Sequence, residues 1–164
     1  MLDRCEELER RAAALYRAYA LGTRGDPTLC ALWTALAREE EEHARTLAAA
    51  RRRPDAIEAW RTRIDGWDEA LAEVAERLAA AEQLGPGATP DQHLTAALAL
   101  EGTELEALRH VLLEASRQPS SPEPAAHAAR LAEFARGSHD PRVQLQAALL
   151  LARARLHQGR PADA

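Results

Sequence analysis

Apolar residues recur along this chain at alternating steps of three and four, the spacing that draws one stripe along an α-helix. Turn signals divide the pattern into blocks. The first runs from about Asp3 to Leu21 and stops at Gly22-Thr-Arg-Gly25. Asp26 reads as an N-cap with Pro27 at the first helical position, opening a second block that ends near Arg53, ahead of Pro54. A third block covers Ala56–Leu84 and is closed by Gly85-Pro86-Gly87. Thr89 caps a fourth, with Pro90 at its first position, running to about Leu113–Ser116. The stretch from Arg117 to Pro124 reads as a loop, Ala125–Arg136 as a short helix, and Arg142–His157 as a last helix after the break at Ser138-His-Asp-Pro141.

The stripes predict what each block buries. In the third block Trp60, Ile64, Trp67, Leu71, Val74 and Leu78 form an unbroken apolar seam. In the second the seam reads Leu29, Trp33, Leu36, then Glu40 and His43, then Leu47. In the fourth it reads Leu94, Leu98 (or Ala97), Glu101, Glu104 (or Leu105), Leu108, Leu112. The first block offers Glu9, Ala12, Tyr16 and Tyr19 on one face. Charged residues thus fall on core-facing positions in mid-helix in three separate blocks.

Composition sharpens the fold class. The apolar share, 46% of 164 residues, is mostly Ala and Leu, which favour helices, while β-branched and aromatic residues are scarce. An all-α protein follows. The net charge of −5 gives no pull towards nucleic acid, and Arg51–Arg53 reads as a complement to a helix C-terminus. Every basic residue is Arg, so Schiff-base lysine chemistry and a P-loop lysine are both excluded. Cys5 and Cys30 make no Cys-x-x-Cys pair, which excludes a rubredoxin-type centre or zinc ribbon; two buried thiols in a reducing cytoplasm are expected. No stretch approaches the roughly 18 apolar residues of a membrane span, and a cytoplasmic location is expected.

Burying an ionised carboxylate costs several kcal/mol unless it is paired or holds a metal. One Glu can be answered by one Arg; a group of Glu and His pointing into a bundle calls for more positive charge. Glutamate oxygens with a histidine nitrogen suit iron or manganese, and a bridging carboxylate can join two ions. Glu40 and His43, three apart on one helix face, can address one metal, and Glu101 with Glu104 repeats that spacing. Glu39, Glu41 and Glu42 read as a solvated face, and His93, His110 and His157 as surface or packing residues.

Glu9, seven residues before Tyr16, followed by Leu36-Ala37 and the run Glu39-Glu40-Glu41-Glu42-His43, resembles the first helix pair of rubrerythrins in the ferritin-like superfamily. The resemblance extends over about residues 3–116. It implies an antiparallel ferritin-like bundle over residues 1–140, with residues 56–83 as an additional crossover helix, and a C-terminal helix and tail, 141–164, packed on it. It further implies two iron ions (or manganese) held by Glu9, Glu40, His43, Glu101 and Glu104. Tyr16 would orient a carboxylate or bound oxygen species. By the same threading the last ligand is His127, in phase with Leu131 and Phe134, with His139 as a rival; another threading closes the site with Glu69 or Glu73, which lie off the Trp60–Leu78 stripe. No block presents a second full Glu-x-x-His.

The activity implied is an oxidoreductase of peroxidase or ferroxidase type, fed by an external electron donor, with the Trp60/Trp67 helix as a homodimer surface by analogy. The contrasting reading is a metal-depleted bundle serving as a structural or interaction module, in which Arg residues would reach inward to Glu40 and Glu101. Mononuclear zinc hydrolysis fits poorly with so many carboxylates and one secure His. The tail from Ala148 resembles part of a tetratricopeptide repeat, but one incomplete repeat cannot stack and reads as a capping helix.

Overall fold

A computed structural model describes residues 2–52, 67–85, 87–107 and 124–158, with side chains described except at 67, 104–107, 124–126 and 157–158. Six helices appear in these residues: α1 (Leu2–Gly22), α2 (Pro27–Ala50), α3 (Trp67–Glu82), α4 (Pro90–Ala107), α5 (Pro124–Ala135) and α6 (Pro141–Gln158). No strand occurs among the described residues.

The helix starts follow from local hydrogen bonding. The Asp26 carboxylate accepts from the backbone N–H groups of Thr28 (2.9 Å) and Leu29 (3.1 Å), satisfying donors that α2 cannot satisfy internally. At α4 the Thr89 N–H donates to Gln92 Oε1 (2.7 Å), while Gln92 N–H donates to Thr89 Oγ1 (3.3 Å), a reciprocal capping box. Asp140 caps α6 through the Arg142 N–H, 2.8 Å away.

Pairs of helices build the bundle: α1 lies on α2, α3 on α4, and α5 on α6. The α3 helix also packs on α1, and α4 touches both α5 and α6. Leu29, Trp33, Leu36 and Leu47 of α2 are buried as their periodicity predicts, as are Leu71, Val74 and Leu78 of α3 and Leu94, Ala97 and Leu98 of α4. Trp60, Ile64, Leu108 and Leu112 lie outside the described residues, and the Trp67 and Leu105 side chains outside the described ones. An aromatic cluster fills the α1–α2 interface: Tyr16 stacks on Trp33 with ring centroids 5.8 Å apart, and Tyr19 meets Trp33 edge-on at 5.3 Å.

Polar clamps also fix the helices to one another. Arg11 makes a two-pronged bond to Glu82 (3.1 and 2.8 Å), joining α1 to α3. Tyr19 Oη donates to the Ala81 carbonyl at 3.1 Å across the same junction. Arg51, expected to serve the end of its own helix, instead reaches across to Asp3 and Glu6 of α1. Ser138 Oγ donates to Asp91 at 2.6 Å, tying the α5–α6 turn to the start of α4. Cys5 is buried and Cys30 only partly so; both are free thiols. Burial pushes the Cys5 thiol up to about 12, keeping it protonated and inert. Among the described residues no helix is long and apolar enough to cross a membrane.

Candidate metal centre

Four helices converge on one buried polar cluster. Glu9 comes from α1, Glu40 and His43 from α2, Glu101 from α4 and His127 from α5; each is at most 4% exposed. Their positions follow from the stripes, since each occupies a place where Leu or Ala stands one or two turns away. The cluster divides into two groups of three, Glu9–Glu40–His43 and Glu40–Glu101–His127, within each of which the candidate ligand atoms all lie within 4.8 Å of one another. Glu40 belongs to both.

The two histidines face the shared carboxylate with different nitrogens. His43 Nδ1 lies 3.0 Å from Glu40 Oε2 and 3.4 Å from Glu9 Oε2. His127 Nε2 lies 2.9 Å from Glu101 Oε1 and 3.1 Å from Glu40 Oε1. Tyr16 Oη donates to Glu101 Oε1 at 2.5 Å. Glu9 Oε2 and Glu40 Oε1 are buried without an aligned hydrogen-bond donor, although each stands near a histidine nitrogen. Buried oxygens in that condition are costly, and a cation between them would relieve the cost.

Charge is balanced here by histidine alone: among the described residues no Arg pairs with Glu9, Glu40 or Glu101. Burial pulls the His127 pKa down, but the carboxylates of Glu101 and Glu40 outweigh it and raise it to about 10. Glu40 is driven well above the usual carboxylate range by burial, with Glu9 and Glu101 adding repulsion against the pull of His127. Glu9 moves the other way: burial pushes it up, yet the close ring nitrogen and charge of His43 carry it below its ordinary value. Without metal, His127 is therefore held protonated, and burial favours the protonated form of Glu40.

Glu39 is the residue whose part was missed. Expected on a solvated face, it is only 17% exposed in its side chain and sets Oε2 2.8 Å from His127 Nδ1. That separation is of hydrogen-bond length, but the ring N–H is not aligned on the oxygen, so the contact is an ion pair. Arg130, one turn after His127 on α5, grips the same carboxylate from outside. The spacing of His127 and Arg130, i and i+3, carried the signal: a helix presenting both side by side calls for an acid opposite.

The remaining candidates separate cleanly. His139 is exposed in the α5–α6 turn, and Glu69 and Glu73 are exposed on α3, away from the cluster. Glu104 lies in the last turn of α4, outside the described side chains, and His110 outside the described residues. Glu41 and Glu42 are partly buried and pair with Arg17 and Arg45. Glu6 is buried as well, but at the end of α1 against Arg10 (2.5 Å) and Arg51. His93 is a packing residue, buried and stacked on Tyr19 with ring centroids 4.0 Å apart. No family model matches the chain, and neither the curated proteins nor the solved structures contain a match to it.

Proposed function

We propose that this chain is a ferritin-like protein of the rubrerythrin kind, holding two iron or manganese ions and reacting with peroxide or dioxygen, or oxidising iron. One observation carries the reading: two three-residue groups of buried Glu and His share Glu40, drawn from four helices. The donor set fits, since carboxylate oxygens and imidazole suit these metals and a shared carboxylate suits a pair of them. When bound, such ions supply one-electron steps towards an oxygen species. The electrons come from a separate donor, because the chain has no Cys-x-x-Cys pair for a rubredoxin-type centre.

The protein's own residues then have defined tasks. Glu40 spans the two groups, Glu9 and His43 serve one side, and Glu101 and His127 the other. Tyr16 holds Glu101 in place from the aromatic cluster, and the burial of all five ligand residues keeps bulk water from the reacting atoms. Among the described residues each group offers three ligands.

One observation favours the metal-depleted alternative, a structural or interaction module: protonated His127 already offsets part of the buried negative charge. Metal analysis separates the two. After reconstitution with iron or manganese, wild-type chain should carry one ion per group, two in all, and a Glu40→Ala/His43→Ala variant should lose both. Wild-type protein that retains no transition metal would sink the metal reading and leave the module.

A further inference from the structure

The three aromatic rings between α1 and α2 differ in what their polar hydrogens meet. Tyr16 Oη donates to Glu101 Oε1 at 2.5 Å, the length of a hydroxyl held against a carboxylate. Tyr19 Oη donates to the Ala81 carbonyl at 3.1 Å, and an amide oxygen accepts a hydrogen bond but is too weak a base to keep the proton. His93 lies against the face of the Tyr19 ring and is not the partner of its hydroxyl. Burial pushes the Tyr19 phenol up to about 12, so it holds its proton. Trp33 Nε1 is buried with no hydrogen-bond partner among the described residues. Of the three rings, Tyr16 is the one with a base within hydrogen-bond reach.

That difference governs where a missing electron comes to rest. A phenol or indole that loses an electron becomes a far stronger acid, and passing its proton to a base is what stabilises the oxidised ring. Oxidised Trp33 keeps its proton, because nothing is placed to take it, and so remains a strong oxidant. Oxidised Tyr19 meets the same difficulty at the Ala81 carbonyl. Oxidised Tyr16 passes its proton to Glu101 and becomes a neutral radical. The rings are close enough to exchange an electron directly. Tyr16 lies 12° from parallel to Trp33 with centroids 5.8 Å apart, and Tyr19 meets Trp33 at 5.3 Å and Tyr16 at 6.3 Å. All three are buried, which keeps water and external reductants from the oxidised ring.

We propose that Tyr16 is a one-electron store, with Trp33 as the relay through which it is emptied and Tyr19 as a bystander. A one-electron oxidant first takes an electron from Trp33, leaving the indole cation radical. One electron then passes from the Tyr16 ring to that radical, which returns to the neutral indole, while the phenolic proton moves from Tyr16 Oη to Glu101 Oε1. A one-electron reductant later refills the ring, and the proton returns from Glu101. Such a store meets a buried oxidant with an electron without any reductant having to enter the bundle. It lies one hydrogen bond from the candidate metal centre, but it stands on the aromatic cluster and Glu101 and does not rest on the metal reading.

Flash excitation of tryptophan in the metal-free full chain tests this, with a cobalt(III) ammine present to take the electron irreversibly. A Trp60→Phe/Trp67→Phe background leaves Trp33 as the sole tryptophan, and the chain has only two tyrosines to receive the charge. The tryptophanyl absorption should decay as the tyrosyl absorption grows, at a rate independent of protein concentration, and heavy water should slow that rate because a proton moves with the electron. Tyr16→Phe should abolish the tyrosyl signal and prolong the tryptophanyl one, whereas Tyr19→Phe should leave both unchanged. Glu101→Gln keeps an acceptor oxygen but cannot take the proton, and should slow the transfer by about 100-fold. A tyrosyl signal that survives Tyr16→Phe, a tryptophanyl radical that decays with no tyrosyl growth, or a rate indifferent to heavy water overturns the proposal. Because the chain is metal-free throughout, none of these outcomes depends on whether the metal reading holds.

Discussion

His127 is held from two sides, by Glu101 and Glu40 at Nε2 and by Glu39 at Nδ1. A ligand histidine whose second nitrogen faces a carboxylate is fixed in ring orientation and made a stronger base. Glu39 thus bears on one group of the candidate centre and not on the other, because nothing places it near Glu9 or His43. Glu39→Gln should weaken metal binding at the Glu40–Glu101–His127 group by about 10- to 100-fold while sparing the Glu9 side. Calorimetric titration should accordingly show one step weakened and one retained. Equal weakening of both steps, or of neither, would reject the asymmetric role. His127 and Arg130 together keep Glu39 charged: burial pushes this carboxyl up, but His127 and then Arg130 bring it below its ordinary value. Reading the sequence one residue at a time assigned Glu39 to solvent, because the run Glu39–Glu42 looks alike at every position. Only the helix lying opposite distinguishes its members.

At the scale of elements the chain was largely legible. Caps are local chemistry, and Asp26 and Thr89 each begin a helix where their side chains predict one. Core phase is local too, which is why Glu40, His43 and Glu101 are buried among the leucines of their own stripes. The α2 cap has a consequence for the site, since that helix supplies both Glu40 and His43. Asp26→Ala should cost about 1 kcal/mol, read as a lower urea midpoint with an unchanged slope. A loss below the error of the measurement would show that packing alone sets the start of α2. What the elements did not reveal was their own pairing. The seam of α6 reads as an ordinary helix stripe in sequence, and nothing local says that one apolar face would be covered and the other left open.

For the whole molecule, the candidate centre is a cross-link between four helices distant in sequence, so its occupancy bears on global stability. An ion bound only by the folded chain adds about 2.7 kcal/mol at a free concentration one hundred times its dissociation constant. The gain depends on pH. His127, raised to about 10 from an ordinary 6.5, contributes charge-pair stability to metal-free protein that is complete below 6.5 and is lost as pH rises through 10. A metal competes with that proton, so binding releases it and strengthens as pH rises across this window. The rise in Tm on loading should therefore be larger at pH 9 than at pH 7. A rise independent of pH would place the ion elsewhere. The sequence alone determined that the chain is helical, where most helices begin, and that Glu9, Glu40, His43 and Glu101 occupy core phases, because caps and periodicity act within a few residues. Tertiary structure decided that these four meet, that His127 and not His139 joins them, and that Glu39 stands behind His127. Those choices rest on which helices lie side by side, and that is set by burial summed over the whole fold.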